Sequence, residues 1–180
     1  IFLARTDGSA GFAKLSVNGN KEFVEDGIIS TASGDSFVIA ARDSAFGIFH
    51  DRSNPVVVNT FNPTTMDVTG TIDMTVANAI VEDPVRYQDF IFRGDNEVFV
   101  PTRLEAGGNV DNVALPRIDI SAGRTVDVAE FEGAGSVFVL NSSRRFFDEN
   151  GNFYFFHVGN ISFPTVSGAI LKIPAGSNDY

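Results

Sequence analysis

Hydrophobic positions in this chain come in short runs of β-branched and aromatic residues, divided by polar clusters rich in Gly, Asn and Asp. Phe37-Val38-Ile39, Phe90-Ile91-Phe92, Val98-Phe99-Val100, Val137-Phe138-Val139 and Phe153-Tyr154-Phe155-Phe156 are the clearest. Such side chains pack well on a pleated surface, so each run predicts a strand. No window of about a dozen residues sustains a capped helical period. Only residues 75–87, beginning Thr75-Val76-Ala77-Asn78-Ala79-Ile80-Val81, accommodate a short helix or irregular loop.

Turns are marked as clearly as strands. Arg93-Gly94-Asp95-Asn96 separates two apolar runs, and so do Ser121-Ala122-Gly123 and Glu149-Asn150-Gly151-Asn152. Asn-Gly is a strong hairpin signal, because the turn it builds needs positive φ at its central residues. A longer unit also recurs. Gly11–Val17, Val57–Pro63, Ala114–Ile120 and Gly168–Pro174 each display a short apolar run, at separations of roughly 45 to 57 residues, the length of a propeller blade. The pattern predicts an all-β chain, a single domain over residues 1–180 with three to four blade-like repeats. Propellers typically close with about four to eight four-stranded blades, so this is a small ring or part of a larger one. A β-sandwich, which also alternates short strands and turns, is the alternative.

Composition narrows the function classes. Hydrophobic residues make up 43% of the 180, enough for a packed core. The net charge is −10, which argues against nucleic acid, since phosphate binding needs a basic face. With no Cys, disulfides, thiolate zinc sites and thiol nucleophiles are excluded. The chain has no apolar run of membrane-spanning helical length. It opens on Ile1-Phe2-Leu3-Ala4 without Met, and both ends read as cut or processed.

Candidate chemistry is sparse, and the reading is non-catalytic with no cofactor. There is no Gly-x-Ser-x-Gly elbow. The acidic pairs Glu25-Asp26, Glu82-Asp83 and Asp148-Glu149 all fall in turn contexts. His50 and His157 each end a strand. Arg144-Arg145 beside Phe146-Phe147 is a compact cationic and aromatic feature able to hold an anionic aromatic ligand, and Arg144, Arg145, Phe146 and His157 are the ligand-binding candidates. Asp148, Asn150 and Asn152 place oxygens at alternate positions, as a calcium loop begins. Gly151 comes one residue early for an EF-hand, and a hairpin turn explains the same residues.

The order Val98-Phe99-Val100-Pro101-Thr102, Asn112-Val113-Ala114, Asp148–Phe156, Ser167–Gly176 and Asp179-Tyr180 resembles the DUF4374-type β-propeller lipoproteins of Bacteroidetes. Thr6–Phe12 looks like that family's opening blade. The resemblance covers about two thirds of the chain by low-specificity pieces, and the family is longer. It implies an exported lipoprotein, on the cell surface or in the periplasm, lipid-anchored in its full-length precursor. The implied partner is a TonB-dependent outer-membrane transporter, with ferric siderophore or haem as ligand. No ligand residue of the family aligns here, and the acidic balance disfavours an anionic siderophore. Asp43-Ser44-Ala45 matches the short O-glycosylation pattern of exported Bacteroidetes proteins, with Ser44 as acceptor. A structural or interaction subunit of a larger surface assembly, with no small ligand, is the second expectation. A hydrolase or lyase on a propeller scaffold is the third.

Overall fold

The computed structural model describes residues 1–4, 10–32, 38–51, 53–80, 86–87, 89–103, 112–132, 145–157 and 169–177. They form an all-β chain with one short helix among the described residues. The chain divides into two compact units, Ile1–Ile72 and Asp73–Tyr180.

The first unit holds two antiparallel arrangements. Strands β1 (Phe2–Ala4), β2 (Gly11–Val17) and β3 (Phe23–Ser30) form a three-stranded sheet in that order. Strands β4 (Val38–Ala41), β5 (Gly47–His50), β6 (Val57–Asn62) and β7 (Asp67–Asp73) follow as an up-and-down meander. Phe12 and Ile29 of the first sheet meet Phe49 and Phe61 of the meander and Met66 of its last turn. The Phe12, Phe49 and Phe61 rings pack edge to face, with centroids 5.2–5.9 Å apart, an arrangement aromatic quadrupoles favour. Every residue of β5 is buried. Gly47 is required there, because a Cβ at that position would lie 2.4 Å from Cε1 of Phe61.

The second unit repeats this build. After helix α1 (Thr75–Ile80) come β8 (Arg86–Tyr87), β9 (Ile91–Arg93), β10 (Glu97–Phe99), β11 (Thr102–Arg103), β12 (Asn112–Asp119) and β13 (Arg124–Glu132). Strands β9, β10, β12 and β13 pair antiparallel in that order, while β8 pairs with β11. Asp73, which opens the second unit, pairs in parallel with Arg124. Strands β14 (Arg145–Phe147), β15 (Phe153–His157) and β16 (Ala169–Ile173) form a second three-stranded sheet. Ile91, Phe99, Leu115 and Ala129 of the first of these sheets pack on Phe153, Phe155 and Ile173 of the other.

The three expected turns lie between β9 and β10, β12 and β13, and β14 and β15, with Gly94, Gly123 and Gly151 at φ of 62°, 65° and 78°. The short helix falls inside the segment that allows one. Residues 81–85 after it lie outside the described residues.

Candidate functional site

Turn polarity is built from one repeated device. A side-chain oxygen of Asn or Asp at the end of a strand accepts backbone N–H groups two to four residues on, which fixes the loop without help from its surroundings. Asn18 accepts from Asn20 and Glu22, Asp43 from Ala45 and Phe46, Asn62 from Thr64 and Thr65, and Asp119 from Ala122. Hydrogen bonds from Ser121, Ala122 and Asn96 hold the Asp119 carboxyl down at about 2. The Arg42 side chain, followed by the Ala45 N–H, lowers Asp43 likewise.

The calcium candidates belong to this class. Asp148 Oδ1 accepts the N–H groups of Asn150 and Asn152, each at 2.9 Å. Its Oδ2 accepts Asn152 Nδ2 at 2.7 Å and the Tyr154 hydroxyl at 3.3 Å. Asn152 Oδ1 accepts the Ala175 N–H at 3.0 Å. These oxygens close the β14–β15 turn and tie it to the end of β16. Among the described residues no cluster of three His, Asp or Glu side chains has metal-holding geometry.

Arg145 and Phe146 are adjacent in sequence but stand on opposite faces of β14, as strand alternation dictates. The Arg145 guanidinium is engaged by the Asp89 carboxylate, both side chains about four-fifths buried. Phe146 is half-exposed on the outer face, stacked on Tyr154 across the strand pair at 4.9 Å and 10°. Lys172, paired with Tyr154 on β16, lies over the same ring at 5.7 Å. The sheet therefore presents a Phe146–Tyr154–Lys172 row outward, while Arg145 braces the inner side. Losing one partner of a part-buried ion pair strands the other. Arg145→Ala is expected to cost about 1–3 kcal/mol, read from chemical denaturation, and an Asp89→Ala, Arg145→Ala double variant should lose less than the two single losses added.

Arg144 lies outside the described residues, and so does the side chain of His157, although its backbone ends β15. The other strand-end histidine, His50, is buried in β5 at 1% exposure. Ser44 is exposed in the turn joining β4 to β5, and its carbonyl accepts the Thr64 hydroxyl at 2.6 Å. Asn141-Ser142-Ser143 and Asn160-Ile161-Ser162, N-glycosylation sequons relevant only in a eukaryotic host, lie outside the described residues.

Sequence reasoning missed the Glu97 cluster. Its carboxylate accepts Arg93 Nε at 2.6 Å and Arg117 Nη1 at 2.7 Å. Arg93 also covers the Phe99 ring at 4.8 Å and donates weakly to the carbonyls of Pro174 and Ser177, which ties the two sheets of the unit together. The available signal was Glu97 four residues after Arg93, although in a hairpin that pairing is cross-strand. The Arg93 hydrogen bond, then that of Arg117, draws the Glu97 carboxyl below its ordinary 4.5. A carboxyl whose pKa is lower folded than unfolded stabilises fully above the unfolded value and loses that contribution as pH falls through the folded one. Unfolding free energy is therefore expected to drop as pH falls below 4.5, and Glu97→Gln should flatten that slope in acid denaturation profiles.

No helix of the described residues is long and apolar enough to cross a membrane. No family model matches the chain, and no curated protein matches it.

Proposed function

We propose that the chain is a non-catalytic binding protein of propeller type, presenting the turns of its blades to a partner. The observation that carries this reading is the repeated build of the two units. Each contains a run of four antiparallel strands packed face to face on a three-stranded sheet. A four-stranded antiparallel run facing a second sheet resembles the way a propeller blade meets its neighbour, which supports the reading. The Asn- and Asp-capped turns add pre-formed polar loops, and fixed loops on a rigid scaffold are where recognition concentrates, because little ordering entropy is left to lose. The DUF4374-type resemblance supplies the context: an exported, lipid-anchored protein at the cell surface or in the periplasm, working with a TonB-dependent transporter on ferric siderophore or haem.

Titrating the protein with haemin and with a ferric catecholate, and separately passing it over a detergent-solubilised outer-membrane transporter fraction, tests the reading. A saturable absorbance change or stoichiometric co-elution with a transporter supports it. Neither result, or turnover of an ester, lactone or glycoside substrate, ends it. A second reading, an interaction subunit of a larger assembly, is favoured by the uncovered apolar outer faces of both three-stranded sheets.

A further inference from the structure

The two three-stranded sheets turn one face to a core and the other to solvent, and both solvent faces are apolar. On the β1-β2-β3 sheet, Phe12 and Ile29 point inward, so the alternate residues point out. Val17 sits directly opposite Phe23, and these two are 59% and 63% exposed. Ile28 is 36% exposed on the same face, and Leu15 lies between. The charged side chain of this face among the described residues is Glu25, on the edge strand β3 and paired with Leu15 of the middle strand.

The β14-β15-β16 sheet is built the same way with the opposite charge. Phe153, Phe155 and Ile173 point inward. Phe146 and Ile170, 50% and 61% exposed, lie outward with Tyr154. The charge here is Lys172, on the edge strand β16 opposite Tyr154.

An apolar sheet face with a lone charge is poorly served by water and well served by another such face carrying the opposite sign. The inner faces show that sheets of this build bury one another, Phe on Phe and Ile. We propose that the outer face of the β14-β15-β16 sheet in one copy docks on the outer face of the β1-β2-β3 sheet in a second copy, with Lys172 set against Glu25. This rests on the second reading above, that the chain is an interaction subunit, and needs no ligand. The two surfaces differ and each copy carries both, so the contacts close reciprocally into a two-fold dimer or run on head-to-tail into rings or open chains.

Sedimentation velocity over a concentration series tests it. The wild-type chain is expected to form dimers or larger species as concentration rises. Lys172→Glu and Glu25→Lys, each alone, should shift the sample towards monomer, because each brings like charges together. Mixing the two variants should restore association, since every contact between unlike variants again pairs Lys with Glu, and the double variant should associate by itself. Both positions are exposed or half-exposed side chains, and unchanged far-ultraviolet circular dichroism establishes that the variants fold. A wild-type chain that stays monomeric throughout the series overturns the proposal. So does a mixture or double variant that fails to recover. Haemin or ferric catecholate binding by a monomeric chain would leave the ligand reading standing while this one falls, so the two failures are distinguishable.

Discussion

Phe61→Ala is expected to lower unfolding free energy by about 3–5 kcal/mol, measured by urea denaturation followed with circular dichroism. Phe61 is fully buried, and its ring meets Phe2, Phe12 and Phe49 at 5.6–5.9 Å. It also fills the space above Gly47. Truncation therefore removes transfer energy, three edge-to-face contacts and the filler of a site whose glycine neighbour has no side chain to collapse inward. Phe23→Ala makes the counterpart: the residue is the same type but largely exposed on β3, and its loss should change monomer stability by well under about 1 kcal/mol. Equal losses at the two sites would show that the ring cluster is not the core of the first unit.

Gly11→Ala is expected to be as damaging through the backbone. Gly11 opens β2 at φ 129°, and an added Cβ would sit 2.1 Å from the Ile29 carbonyl oxygen. That region of φ is open essentially to glycine alone, so strain alone costs about 1–3 kcal/mol. The overlap comes on top, and it is with backbone of the paired strand, which cannot rotate away as a side chain would. Relief requires parting β2 from β3 where Gly11 pairs with Ser30 and Phe12 with Ile29. Gly94→Ala separates the two causes. Gly94 has φ 62° but open space around its Cβ position, so it should lose only about 1–2 kcal/mol. Melting temperatures of the two variants side by side would show whether the steric part is real.

Local chemistry was legible in the sequence, and long-range pairing was not. Gly94, Gly123 and Gly151 announce their turns because the signal lies in the residues that make the turn. The helix at Thr75–Ile80 falls where the strand pattern lapses. Asp148, Asn150 and Asn152 fit a hairpin turn better than a calcium loop already in sequence, because Gly151 comes one residue early; the hydrogen bonds within the turn engage the Asp148 and Asn152 side chains and the Asn150 N–H. The Asp89–Arg145 pair joins residues 56 apart, and no local pattern marks such a partner. Gly47 looks like any strand glycine until the Phe61 ring is placed against it. The separation of Arg145 from Phe146 could have been read directly, since neighbours along a strand point apart. A run of four antiparallel strands was predictable from spacing; which sheets stack on which depended on the apolar positions that Phe12, Phe49, Phe99 and Phe153 occupy in three dimensions.

The outward Phe146–Tyr154–Lys172 row has an optical consequence. With no Trp and three Tyr in the chain, emission excited beyond the phenylalanine absorption band comes from tyrosine alone. Tyr87 is shut away at 3% exposure, and burial pushes its phenol well above the ordinary value. Tyr154 instead stands at the surface, against an ammonium group and a phenyl ring. Whatever covers that surface will change the light this residue gives off, so the unlabelled protein carries its own reporter.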